Sequence, residues 1–94
     1  MKRISLAALL TTTMLVIPTI SSANPDGQSL FKSNCTMCHD ISKKKLGPPV
    51  KNMAKDQEAL RQTITAGRNA MPSYEGKLSA AEIDALVEFL LANQ

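Results

Sequence analysis

Both cysteines of this chain and its only histidine fall within one short stretch, Cys35-Thr36-Met37-Cys38-His39. On a helix, positions i, i+3 and i+4 share a face, so Cys35, Cys38 and His39 are expected to project together while Thr36 and Met37 point elsewhere. Four kinds of chemistry use such a set. A disulfide between Cys35 and Cys38 would close so short a loop that it removes little unfolded-state entropy, and it leaves His39 without a role. A structural zinc ion takes about four protein ligands, and the chain has no further Cys or His to supply them. A thioredoxin-like thiol pair shares the C-x-x-C spacing but belongs on a βαβ scaffold, which this sequence does not offer. Covalent haem uses all three residues: the two thiols add across the two vinyl groups, and the adjacent histidine ligates the iron.

If His39 holds one axial position of an iron, the other needs a donor. No second histidine exists in the chain. A methionine thioether is the next candidate, and Met37, Met53 and Met71 are available beyond the N-terminal stretch. Met37 lies inside the motif, on the wrong side of a helix. Met53 sits in a short helical segment where packing is the ordinary fate of a methionine. Met71 follows a helix that should end near Gly67, and Pro72 keeps the chain from resuming one. An irregular loop with a fixed bend can aim a thioether across a flat cofactor, so Met71 is the expected second ligand.

The elements that must position these residues can be read from the surrounding pattern. Met1-Lys2-Arg3 is a short basic head, Ile4 to Ile20 is mostly apolar, and Ser21-Ser22-Ala23 supplies small residues. This is the pattern of a secretory signal cleaved after Ala23; Thr11-Thr12-Thr13 and Pro18 argue against a spanning anchor, which takes ~20 apolar residues. The working domain is then 24–94. Losing Lys2 and Arg3 lowers the formal charge of the chain from +3 to +1. A nearly neutral domain without an aromatic-interleaved basic stripe is not built for nucleic acid. It also has no Trp, two Phe and one Tyr, and domains below roughly 70–80 residues usually need a staple. A haem would supply the missing apolar bulk.

Within that domain, Asn24 or Asp26 can cap a first helix, with Pro25 in its first turn. Leu30, Phe31, Cys35 and Cys38 fall along one side of it. Ile41 to Pro49 is a loop carrying Lys43, Lys44 and Lys45, then Leu46-Gly47-Pro48-Pro49. Val50 to Ala54 is expected to form a short helical turn. Asp56 to Ala66 reads as a helix capped by Asp56, with Leu60 and Ile64 inward and Gly67 as its stop. Residues 68–77 form a loop. Ser79-Ala80-Ala81-Glu82 is a capping box with Leu78 stapling onto Ile83, and Ile83, Leu86, Val87, Leu90 and Leu91 make one buried stripe. No alternating strand pattern appears. The fold class is all-α, with about three to four helices.

With these residues in place, the chain resembles the class I cytochromes c of the small, single-haem bacterial kind, over essentially all of 24–94. Gly27 and Phe31 are similar to the family's Gly-x-x-x-aromatic first helix, "CTMCH" to its attachment motif, and "LGPP" to the loop after its histidine ligand. "AMPSY" is similar to its Met-Pro ligand loop and "ALVEFLL" to its closing helix. The resemblance implies a three- to four-helix fold wrapped around one haem c, with thioethers at Cys35 and Cys38 and axial ligands His39 and Met71. It implies that the Pro48 carbonyl accepts the other ring N–H of His39, and that Gly27 lets the first and last helices cross near Phe31 and Phe89.

The function expected on this reading is soluble single-electron transfer, not catalysis. The carrier would be periplasmic and monomeric and would dock transiently to reductase or oxidase partners, with no stable membrane insertion. Lys43, Lys44 and Lys45 could steer an acidic partner, although charge runs are usually solvated loops. Two rivals stay open: a haem enzyme or gas sensor whose sixth iron position is labile or open, and a thiol redox protein.

Overall fold

A computed structural model of the chain describes residues 7–17 and 25–94. The first helix, α1, spans Gly27–Asn34. Asp26 caps it: its carboxylate accepts from the Gln28 N–H at 3.2 Å and from the Ser29 hydroxyl at 2.7 Å, satisfying donors that a helix start leaves free. Pro25 therefore precedes the cap instead of sitting in the first turn. Asn24, the other expected cap, lies outside the described residues.

The helix stops sooner than the spacing of its cysteines predicts. Cys35 closes it, at φ −118° and ψ −24°, with its N–H donated to Phe31. Just at this end, the Asn34 and Thr36 side chains donate back to the carbonyls of Leu30 and Lys32, a competition that weakens a helix terminus. The motif is thus a turn. It keeps one helical repeat nonetheless, because the Cys38 and His39 N–H groups both donate to the Cys35 carbonyl, at 3.1 and 2.8 Å.

The next segment makes a single 3-10 turn, Val50–Asn52, shorter than the expected Val50 to Ala54. Helix α2 spans Gln57–Ala66, with Asp56 accepting from the Ala59 N–H and Gly67 ending it at φ 77°. Helix α3 spans Ala80–Ala92 and opens on the capping box of Ser79 and Glu82, both halves of which are formed. Among the described residues there is no strand, only isolated bridges at Arg68–Met71 and Glu75–Leu78.

Helix α3 packs against both α1 and α2. Its stripe Ile83, Leu86, Val87 and Leu90 is buried, joined by Phe31, Val50, Leu60 and Ile64; Leu91 lies half-buried at the edge. The α1–α3 crossing is close because Gly27 has no side chain: a Cβ there would stand 2.2 Å from the Ala85 carbonyl oxygen and 2.8 Å from the Phe89 Cβ. Phe31 and Phe89 meet beside this crossing with ring centroids 5.2 Å apart and planes tilted by 40°, a favourable aromatic arrangement.

Residues 7–17 are non-helical and exposed. Among the described residues no helix is long and apolar enough to cross a membrane. The Ser21-Ser22-Ala23 segment expected to be cleaved lies outside the described residues.

Candidate cofactor site

Cys35 and Cys38 are free thiols, both half-buried, and Cys35 packs against the core. Burial, with Cys38 as a smaller contributor, pushes the Cys35 thiol up to about 11. Among the described residues, no three His, Cys, Asp or Glu side chains converge in the manner a coordinated ion requires.

His39 is held from several sides. Its Nδ1 lies 2.8 Å from the Pro48 carbonyl oxygen. A carbonyl can only accept, so the ring proton sits on Nδ1 and the Nε2 lone pair is left for a metal. The chain after the motif runs back alongside it: the Gly47 N–H donates to the Cys38 carbonyl at 2.8 Å, and the Val50 N–H donates to the Asp40 carbonyl at 2.9 Å. These two bonds bracket His39. Pro48 and Pro49 have no N–H to satisfy, so the intervening backbone offers the imidazole acceptors only. Gly47 presses directly on the ring, where a Cβ would stand 2.2 Å from Cε1. Nothing in the sequence marks that contact, since a glycine beside two prolines reads as ordinary loop punctuation.

Met71 is half-buried and packs against the core. Its loop turns back on itself through two bonds, Arg68 N–H to the Met71 carbonyl and Met71 N–H to the Arg68 carbonyl, at 3.1 and 2.9 Å. Asn69 takes the left-handed φ of 52° that this reversal needs, a conformation asparagine tolerates better than most residues. The loop is stitched to the end of α2 by the Ser73 hydroxyl on the Thr65 carbonyl and the Tyr74 N–H on Ile64. It is also tied across the molecule: the Tyr74 hydroxyl donates to the Asn34 carbonyl at 3.0 Å. Asn34 immediately precedes Cys35, so the structure links the Met71 loop to the motif segment through a tyrosine whose partner no local pattern in the sequence marks. Its being the sole tyrosine was the available signal.

Of the other two methionines in 25–94, Met37 is 84% exposed and Met53 is half-buried against the core. The three lysines differ in their setting. All three are exposed, but Lys45 also folds back so that its ammonium donates to the Thr36 carbonyl. Asp40 organises the start of this loop by accepting from the Ser42 and Lys43 N–H groups, each at 2.9 Å, and those two bonds hold its carboxyl below the usual range.

These surroundings fit a haem. Leu30, Cys35, Ile41, Met53, Met71 and Tyr74 pack on the core yet keep part of their surface exposed. Burying a flat apolar macrocycle against them removes that surface from water. Two thiols beside an imidazole with a free Nε2 have the chemistry that c-type haem attachment uses. Fold and site together define a small class I cytochrome c.

Comparison with known proteins agrees. The family described as cytochrome c oxidase, cbb3-type, subunit III matches residues 22–90, and the chain belongs to this cytochrome c family. It is 34% identical over 76 residues to cytochrome c6 of Microcystis aeruginosa, covering 71% of this chain and 93% of that protein. It is 33% identical over 78 residues to cytochrome c-551 of Halorhodospira halochloris, covering 71% and 96%. Among solved structures it is similar to cytochrome c6 of the diatom Phaeodactylum tricornutum, with a TM-score of 0.60 and 27% identity over 70% of this chain and 87% of that one. It is also similar to the class 1 cytochrome MtoD of Sideroxydans lithotrophicus ES-1, with a TM-score of 0.59 and 27% identity over 71% and 91%. The chain is accordingly an electron-transfer protein with covalently bound haem c, not a catalyst.

Proposed function

We propose that this chain is an exported single-electron carrier whose iron is held between His39 and Met71, with Cys35 and Cys38 as the thioether attachments. The observation that carries this reading is the pairing of an imidazole whose Nε2 is free with a half-buried thioether on a loop tied to the residue before Cys35. The Pro48 carbonyl holds the tautomer and orients the ring, and hydrogen bonding at Nδ1 raises the basicity of Nε2. Bound haem supplies the one-electron ferric/ferrous chemistry. With His39 and Met71 both given to the iron, no position would be left for a substrate, and the bound haem would exchange electrons with docked partners.

Residues 1–23 act as the export signal, a reading that rests on the basic head, the apolar run and the small residues at 21–23. The mature protein then begins at Asn24 in the periplasm, which its intact mass checks. Partners are redox proteins meeting a monomer in brief encounters, and such interfaces bury under about 1,200 Å². Exposed Lys43 and Lys44 beside exposed Met37 and Leu46 suit an apolar contact with a basic rim.

Met71→Ala tests the ligation. The expected result is a midpoint potential lowered by more than the ~59 mV that a tenfold change in relative ferric/ferrous affinity produces for a one-electron couple. The ferric protein should also take up added imidazole or cyanide. A variant identical to the wild type in potential and ligand uptake would instead favour the enzyme or gas-sensor reading, with Met71 away from the iron.

A further inference from the structure

The Tyr74 hydroxyl makes the longest-range side-chain bond of the Met71 loop, spanning 40 residues of sequence to the Asn34 carbonyl at 3.0 Å. Every other bond of that loop is local. Arg68 and Met71 bond each other, Ser73 reaches Thr65, and the Tyr74 and Glu75 amides reach Ile64 and Thr65. Those contacts shape the loop and seat it on the end of α2. None of them sets its distance from the turn that carries Cys35, Cys38 and His39. Met71 and Tyr74 are three residues apart, both half-buried against the same core, and burial, with smaller contributions from Cys35 and Cys38, raises the Tyr74 phenol. Its hydroxyl therefore stays a neutral donor.

We propose that Tyr74 is the positioning residue of the thioether ligand, its hydroxyl clasping the Met71 loop to the attachment segment through Asn34. This rests on Met71 being the axial ligand. A thioether is a soft donor and holds ferric iron less well than ferrous iron, so the clasp matters most in the oxidised protein. Opening it lets the loop swing away and another ligand enter.

The test is Tyr74→Phe in the haem-loaded protein. Phenylalanine keeps the ring and its packing, and the Asn34 carbonyl is only part-buried, so water can replace the lost donor and the variant folds. The expected result is a roughly three- to tenfold stronger binding of imidazole by the ferric form, as loss of one neutral hydrogen bond gives. The sulfur-to-iron charge-transfer band of the ferric spectrum should weaken at a lower temperature than in the wild type, while the ferrous spectrum stays unchanged. Imidazole affinity and charge-transfer band equal to the wild type would overturn the clasp while leaving Met71 ligation standing. A wild-type protein with no sulfur-to-iron band would overturn the ligation itself, and the clasp with it.

Discussion

Gly47 and His39 show how much one absent side chain can decide. A Cβ at residue 47 would overlap the imidazole at 2.2 Å from Cε1 and 2.7 Å from Nδ1. The backbone φ of Gly47 lies outside the left-handed region, so contact and not conformation demands glycine there. Gly47→Ala must push the ring off the Pro48 carbonyl or lift the loop off the Cys38 carbonyl. Overpacking of this kind costs about 1–3 kcal/mol. We expect a melting temperature lower by several degrees, since ~1 kcal/mol shifts a domain of this size by roughly 4–8 °C. A changed ferric spectrum should accompany it. Gly76→Ala is the comparison: it meets nothing within 4 Å but carries φ 76°, so it should lower stability without touching the haem spectrum.

At the scale of elements, the frame is the crossing of α1 and α3, and the site hangs from it. Helix α1 ends one residue before Cys35 while α3 supplies half of the buried core. Their separation therefore sets where the motif turn begins. Gly27→Ala would drive a methyl into the Ala85 carbonyl and the Phe89 Cβ, and the helices must part to accept it. The expected outcome is a loss of about 1–3 kcal/mol, read by urea unfolding of the haem-loaded protein, with the Phe31–Phe89 contact loosened. An unchanged unfolding midpoint would show that the crossing is not tight in solution. The Arg61–Asp84 ion pair also joins α2 to α3, while Arg61 pairs with Glu58 inside α2, but both pairs are largely exposed, and such pairs contribute little and are screened by salt.

On the scale of the whole molecule, charge and exposed apolar surface determine what can dock. In the helical domain, 25–94, Met37 at 84% and Leu46 at 86% are the large apolar side chains left standing in solvent. The segments carrying them are bridged by Lys45 to Thr36 and by Gly47 to Cys38, beside exposed Lys43 and Lys44. Lys43→Glu with Lys44→Glu should slow oxidation by anionic hexacyanoferrate and flatten or invert its dependence on ionic strength, because steering by exposed charge is screened over about 10 Å at 0.1 M salt. Rates with an uncharged oxidant should not move. Salt dependence identical to the wild type would show that these lysines face away from the path of electron entry.

Much of this architecture was legible from residue types alone. The capping box at Ser79, the stripe of α3, the Asp56 cap and the Gly67 stop are local patterns, and each is formed. The cysteine and histidine spacing likewise carries its chemistry in five adjacent residues. The sequence pattern misjudged the end of α1, because periodicity cannot register Asn34 and Thr36 bonding back to the helix they follow. It also treated Lys43, Lys44 and Lys45 as equals, though Lys45 bonds Thr36. Beyond these, two contacts that join distant segments were decided only by the tertiary structure: Gly47 beneath the imidazole and Tyr74 on the Asn34 carbonyl. Their physical reason is shared. Each brings a side chain against the backbone of a segment remote in sequence, and a linear pattern records which side chains can bury themselves but not which backbone they will meet.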